Sequence, residues 1–120
     1  MSMLKTLRGE LVEAVSGVTT YDHVPARAVM PCAFVLAGSP YIAAAETFEA
    51  RTVRFGLVLV TTPSLNEHET DALDELIEQT VKELEADGWT VEQVRQPQLE
   101  DLNGAETLTT TIDVATEATF

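Results

Sequence analysis

Residues 46–62, ETFEARTVRFGLVLVTT, constrain the fold more than any other stretch of the chain. Side chains along an extended strand alternate between two faces. Val53, Phe55, Leu57 and Leu59 then share one face, and Thr52, Arg54, Gly56, Val58 and Val60 share the other. Polar alternation holds to about Arg54, after which both faces are apolar. Such a strand begins in solvent and ends in the middle of a sheet, covered on both sides. Gly56, where the pattern shifts, is the expected place for a bulge or sharp twist.

The remaining elements are read around this strand. Leu4, Leu7, Leu11, Ala14 and Val15 recur at three- and four-residue spacing and predict a helix over 3–16, with Ser2 as N-cap and Gly17 as its stop. Gly9 inside it costs about 1 kcal/mol relative to alanine and offers room for close packing on a neighbour. Residues 18–28 read as loop. A first strand covers 29–37, with Pro31 near its start, and Gly38, Ser39 and Pro40 break it. Leu73, Leu76, Ile77, Val81 and Leu84 predict a second helix over 67–87, capped by Ser64 with Glu67 or by Asn66 with Glu69, and ended by Gly88. Residues 89–96 form a strand with Trp89 and Val91 inward, 97–104 a polar loop, and 105–120 the last strand. The expected order is α-β-β-α-β-β. This gives one domain over 1–120, α+β in class, with two helices packed on one face of a mostly antiparallel four-stranded sheet.

Length creates a difficulty for a lone monomer. The strands at 46–62 and 105–120 reach about 50 Å when extended. The second helix spans only about 30 Å. Long strands that overhang their cover invite pairing with another chain, unless bulges split them into shorter pieces.

Charge is unevenly placed. Residues 1–60 carry five bases and five acids, whereas 61–120 carry fifteen acids against Lys82 and Arg95, and so hold the whole net charge of −13. That surface repels phosphates, which argues against DNA binding. It suits a passage through which DNA slides without sticking, and equally a face that only keeps the chain soluble. No apolar run is long enough to cross a bilayer. Lys5 and Arg8 precede an amphipathic segment with Glu10 and Glu13, unlike a secretory signal. A single cysteine fits a reducing interior. The expectation is a soluble protein made in a cytoplasm, with no membrane partner.

The sequence nominates no reaction. Cys32 lies among Met30, Ala33, Phe34 and Val35 on a strand read as buried, and neither His23 nor His68 is spaced to serve it as a base. Two isolated histidines and one cysteine make no zinc motif. Residues 66–75, NEHETDALDE, lack the alternating ligands and central glycine of a calcium loop. No glycine-rich phosphate loop or nucleophile elbow occurs. The expectation is a non-enzyme with no catalytic residues, metal or cofactor.

Residues 38–50, GSPYIAAAETFEA, read as an arm carrying Tyr41, Ile42 and Phe48, either as a contact surface or folded back on its own domain.

An N-terminal helix, VPARAVMPCAFVLAGSPYI, RTVRFGLVLV, TDALDELIEQTVKEL and a closing LTTTIDVAT follow one another in this order. Over almost all its length the chain resembles the tail terminator proteins of long, non-contractile-tailed bacteriophages, particularly those of actinobacteria. The resemblance implies a homo-oligomeric ring, usually a hexamer, located in the tail and neck of the virion. Such a ring caps the tail tube, stops its elongation and offers a surface to the head–tail connector or stopper protein, while DNA passes without specific binding. Its partners are then other copies of itself, the tail tube protein and the connector. On this reading Tyr41, Ile42, Phe48, Arg51 and Arg54 are subunit or tube contacts, and Asp113 and Glu117 line the channel. The alternatives are another neck protein, or a non-viral cytoplasmic module that docks partners through its acidic helix.

Overall fold

The computed structural model describes residues 2–26, 31–46, 49–62, 67–102 and 104–120. The chain is α+β, with helices α1 (Met3–Ala14) and α2 (Glu67–Ala86) and strands β1 (Thr19–Tyr21), β2 (Cys32–Ala44), β3 (Ala50–Thr61), β4 (Thr90–Val94), β5 (Gln98–Leu102) and β6 (Ala105–Thr119). Both helices, β3 and β6 fall close to their expected bounds. Ser64, Asn66, Phe48 and Val29 lie outside the described residues.

α1 begins at Ser2, whose Oγ accepts from the Lys5 N–H at 3.4 Å and whose carbonyl accepts from Thr6. Leu7 and Leu11, one turn apart, are buried against the sheet. Gly9 meets no neighbour: a Cβ placed there has nothing within 4 Å, so close packing is not its role. Beyond α1, Ser16 Oγ donates to Glu83 on α2, and a Cβ on Gly17 would sit 3.1 Å from Leu76 Cδ1. The close approach is here, one turn past the helix. α2 turns back onto the sheet through Gly88, whose φ of +93° is open to glycine; the Trp89 N–H bonds the Leu84 carbonyl at 3.0 Å.

The sheet has six strands and is mixed, in the order β1-β2-β3-β6-β4, with β5 also paired to β6. The four-stranded reading missed β1 and β5. β1 has three residues, too few for alternation to register, and pairs parallel with β2 over 32–34. β5, polar and exposed over 98–101, forms a tight hairpin with β6, down to the pair Leu102↔Ala105. The Asn103-Gly104 dipeptide is a hairpin signal, and Gly104 carries a φ of +83°.

Register places the core. β3 pairs with β6 without interruption from Ala50↔Thr119 to Thr61↔Leu108. On one face Val53, Phe55, Leu57, Leu59, Ile112 and Val114 join Leu7, Leu11 and Leu84 in the main core. Each fully buried leucine or phenylalanine contributes about 1.5–3 kcal/mol. Phe55 sits at the centre, edge-on to Tyr41 at 5.7 Å and to Trp89 at 6.1 Å between ring centroids. The opposite face holds a smaller cluster of Cys32, Phe34, Val58 and Val60 with Tyr21 alongside.

The expected irregularity at Gly56 is absent: its rungs run on through Leu36↔Gly56 and Gly56↔Asp113. It lies in β2 instead, where residues 38–41 stand opposite Arg54 alone, between the pairs Ala37↔Phe55 and Ile42↔Val53. A Cβ on Gly38 would fall 2.6–2.8 Å from Arg54 atoms, backbone included, so only glycine fits there. The Ser39–Pro40 bond in this segment is cis. Thus the Gly-Ser-Pro run bulges β2 rather than ending it, and residues 38–44 are sheet, not a free arm.

Past Val53 the sheet becomes a three-stranded ribbon of residues 42–44, 50–52 and 116–119. Arg51, Ala44, Glu117 and Thr119 are exposed, and the molecule is 50 Å in its longest dimension against 27 and 22 Å in the others. The 20 residues of α2 cover about 30 Å. The strands do overhang the helices.

Candidate functional site

The helix-free face of the sheet gathers the polar side chains that strand alternation sends outward. Arg54 comes from β3, Asp113 from β6, Glu92 and Gln93 from β4, and Arg95 from the residue after β4. Together with Gly38, Ser39 and Pro40 of the β2 bulge they surround a cleft of about 360 Å³. Arg54 Nε donates to Glu92 Oε1 at 2.9 Å. Asp113 Oδ2 accepts from Arg95 Nε at 2.9 Å and from Gln93 Nε2 at 2.6 Å. Each cation is therefore matched by a carboxylate from another strand, Arg95 by Asp113 on the adjacent β6 and Arg54 by Glu92 on β4, across β6. The arrangement clamps β4 onto β6 and β3 and leaves little charge over for a ligand.

Arg95 was not legible as part of this cluster. β4 carries an irregularity between Val91 and Gln93 that shifts its pairing with β6 by one residue. Simple alternation from Trp89 onward puts Glu92 outward, as found, but assigns Gln93, Val94 and Arg95 to the wrong sides. The opposed charges of Arg54 with Glu92 and of Arg95 with Asp113 were the signal available.

The other candidate residues scatter. Tyr41 packs on Phe55 and belongs to the domain's own core, which resolves that part of the 38–50 segment in favour of folding back. Ile42 is exposed on the outer strand. Phe48 lies outside the described residues. Arg51 Nε donates to the Phe120 carbonyl at 3.3 Å, and its guanidinium lies 5.5 Å above the Phe120 ring. That cation–π contact fastens the last residue onto β3. Glu117, opposite Thr52, points to solvent beside a shallow cleft with Thr90, Glu92 and Thr116. Asp113 and Glu117 share the helix-free face, four residues apart along β6.

Cys32 is fully buried, and burial pushes its thiol above the ordinary value of 9.0. No hydrogen bond joins it to His23 among the described residues. His23 Nδ1 instead lies 2.5 Å from Asp22 Oδ1 in solvent, and this hydrogen bond holds the Asp22 carboxyl below its usual range. Among the described residues no group of three or more histidine, cysteine, aspartate or glutamate side chains is placed to hold a metal. No described helix is long and apolar enough to cross a membrane.

Comparisons with protein-family models and with curated proteins return no match.

Proposed function

We propose that this chain is a structural virion protein, a tail terminator whose copies close into a ring on the end of a phage tail tube. The ring stops tube elongation, presents a joining surface to the head–tail connector and lets DNA through without binding it. The observation that carries this reading is the overhanging ribbon, in which three strands run beyond the helices with exposed side chains and bare outer edges among the described residues. Unpaired strand edges of this kind are templates for pairing with another chain. The acidic half of the sequence supports it, because a negative lumen keeps phosphates moving.

In this reading Glu117 is the channel residue with an uncommitted charge, while Asp113 is held by Arg95 and Gln93. Electron microscopy of the purified protein, alone and co-expressed with the tail tube protein of the same genome, tests the proposal. Rings and tubes capped at fixed length are expected; a monomer that leaves tube length unregulated overturns it. Glu117→Lys is expected to leave rings intact and to slow DNA exit, and normal infection by that variant removes the channel role.

A further inference from the structure

The two borders of the sheet are chemically unlike. One is β2, whose thirteen residues, CAFVLAGSPYIAA, include no charge. β1 covers it only at 32–34, and no other described strand pairs with its outer side. This border exposes Leu36 at 43% and Ile42 at 37%. The opposite border is β4 and β5, each paired to β6 on one side only. It exposes Val94 at 40% and Leu99 at 63%, and with them Glu92, Glu100 and Asp101. Edge strands are ordinarily guarded by charges, prolines or bulges. β2 has Pro40 and its bulge in the middle, but unguarded strand on either side.

We propose that these borders are partner surfaces in a head-to-tail contact between copies of this chain, with β2 of one protomer lying along β4 and β5 of the next. The proposal rests on the self-assembling reading above and names its subunit interface. Charge and apolar exposure select this pairing over the symmetric ones. Two β4–β5 borders placed together set the unpaired acids Glu100 and Asp101 of one copy against those of the other. Two β2 borders placed together cover Leu36 and Ile42 but leave Val94 and Leu99 in water. Ile42, Val94 and Leu99 all lie on the helix side of the sheet, opposite Val53, Ile112 and Leu108, so only the heterologous contact sets aliphatic side chains of both borders together while laying the acids against an uncharged strand. Because each added copy still offers one border of each kind, the contact propagates until it closes as a ring.

Two double variants test this, Leu36→Asp with Ile42→Asp and Val94→Asp with Leu99→Asp. All four sites are exposed, and circular dichroism checks that each variant folds. Light scattering after size exclusion then reads the mass against the 13.1 kDa protomer. The wild type is expected to assemble, each variant alone to run as a monomer, and an equimolar mixture to form a dimer of twice the protomer mass. The mixture keeps one intact border of each kind and can make just one contact. If either variant alone remains a dimer or a larger assembly, or the mixture stays monomeric while the wild type assembles, this interface is wrong and the ring reading survives it. A wild type that is monomeric even at millimolar concentration removes both.

Discussion

Two threonines three residues apart on β6 offer the sharpest test of how the sheet is packed. Thr110 is fully buried on the helix side, opposite Leu59, and its Oγ1 has no hydrogen-bond partner among the described residues. Thr107 is 1% exposed on the other face, where its Oγ1 donates to the Glu100 carbonyl at 2.9 Å. Valine replaces the hydroxyl by a methyl with nearly the same shape and keeps the β-branch that suits a strand. At Thr110 the change removes an unmatched polar group, whose burial costs about 1–3 kcal/mol, and so stabilises by about 1 kcal/mol or more. At Thr107 it deletes a bond worth about 0.5–1.5 kcal/mol and leaves the Glu100 carbonyl short of a donor. The same substitution should thus carry opposite signs, with midpoints about 4 °C apart from wild type in each direction for a chain of this size. Urea titrations at one protein concentration, with equal slopes, give the two free-energy changes directly. If Thr110→Val lowers stability as much as Thr107→Val, the buried hydroxyl has a partner and the packing described for that face is wrong.

Gly9→Ala should raise stability by roughly 0.5–1 kcal/mol, because the new methyl meets nothing within 4 Å and the helix gains propensity; a loss in thermal denaturation refutes this. Gly38→Ala should cost about 3 kcal/mol or abolish folding, since the added carbon collides with the backbone of Arg54; unchanged urea unfolding contradicts the bulge geometry. Cys32 should react with a disulfide-exchange reagent far more slowly in the folded protein than in urea. Its raised folded pKa gives stability that is complete below the ordinary thiol value and is lost as pH rises past it, because the unfolded chain ionises first. A Cys32→Ala variant should therefore show a shallower alkaline fall in stability than wild type.

The class of fold was legible because its main signals are periodic and long. Leu7 and Leu11 repeat at helical spacing, the α2 stripe from Leu73 to Leu84 does the same, and the alternation of 53–59 fixes which face of β3 meets the helices. Those patterns survive because burying one face dominates the local energetics. β1 was illegible for the converse reason. Three residues paired in parallel to a neighbour leave almost no pattern, and their place depends on β2 rather than on their own composition. β5 is exposed throughout its described side chains, so hydrophobicity says nothing of it, and only the Asn-Gly pair in the sequence marks it.

The polar cluster was hidden by two local changes of register. Residues 38–41 crowd opposite Arg54 in β2, and the shift between Val91 and Gln93 rotates β4. Neither violates a propensity strongly enough to be seen in one sequence, yet together they put Arg54 beside Glu92 and Arg95 beside Asp113. Two of the residues read as outward-facing, Arg54 and Asp113, are thereby committed within the chain. In the proposed ring, their loss as free charges transfers the burden of assembly from ion pairs to the uncharged β2 border and to the aliphatic side chains beside the acids of β4 and β5. An interface built that way should hold or strengthen as salt rises, since screening relieves the repulsion between protomers of net charge −13. One built on Arg51 and Arg54 reaching acids of a neighbour should instead weaken steeply as ionic strength rises. Sizing the assembly across a salt series separates the two.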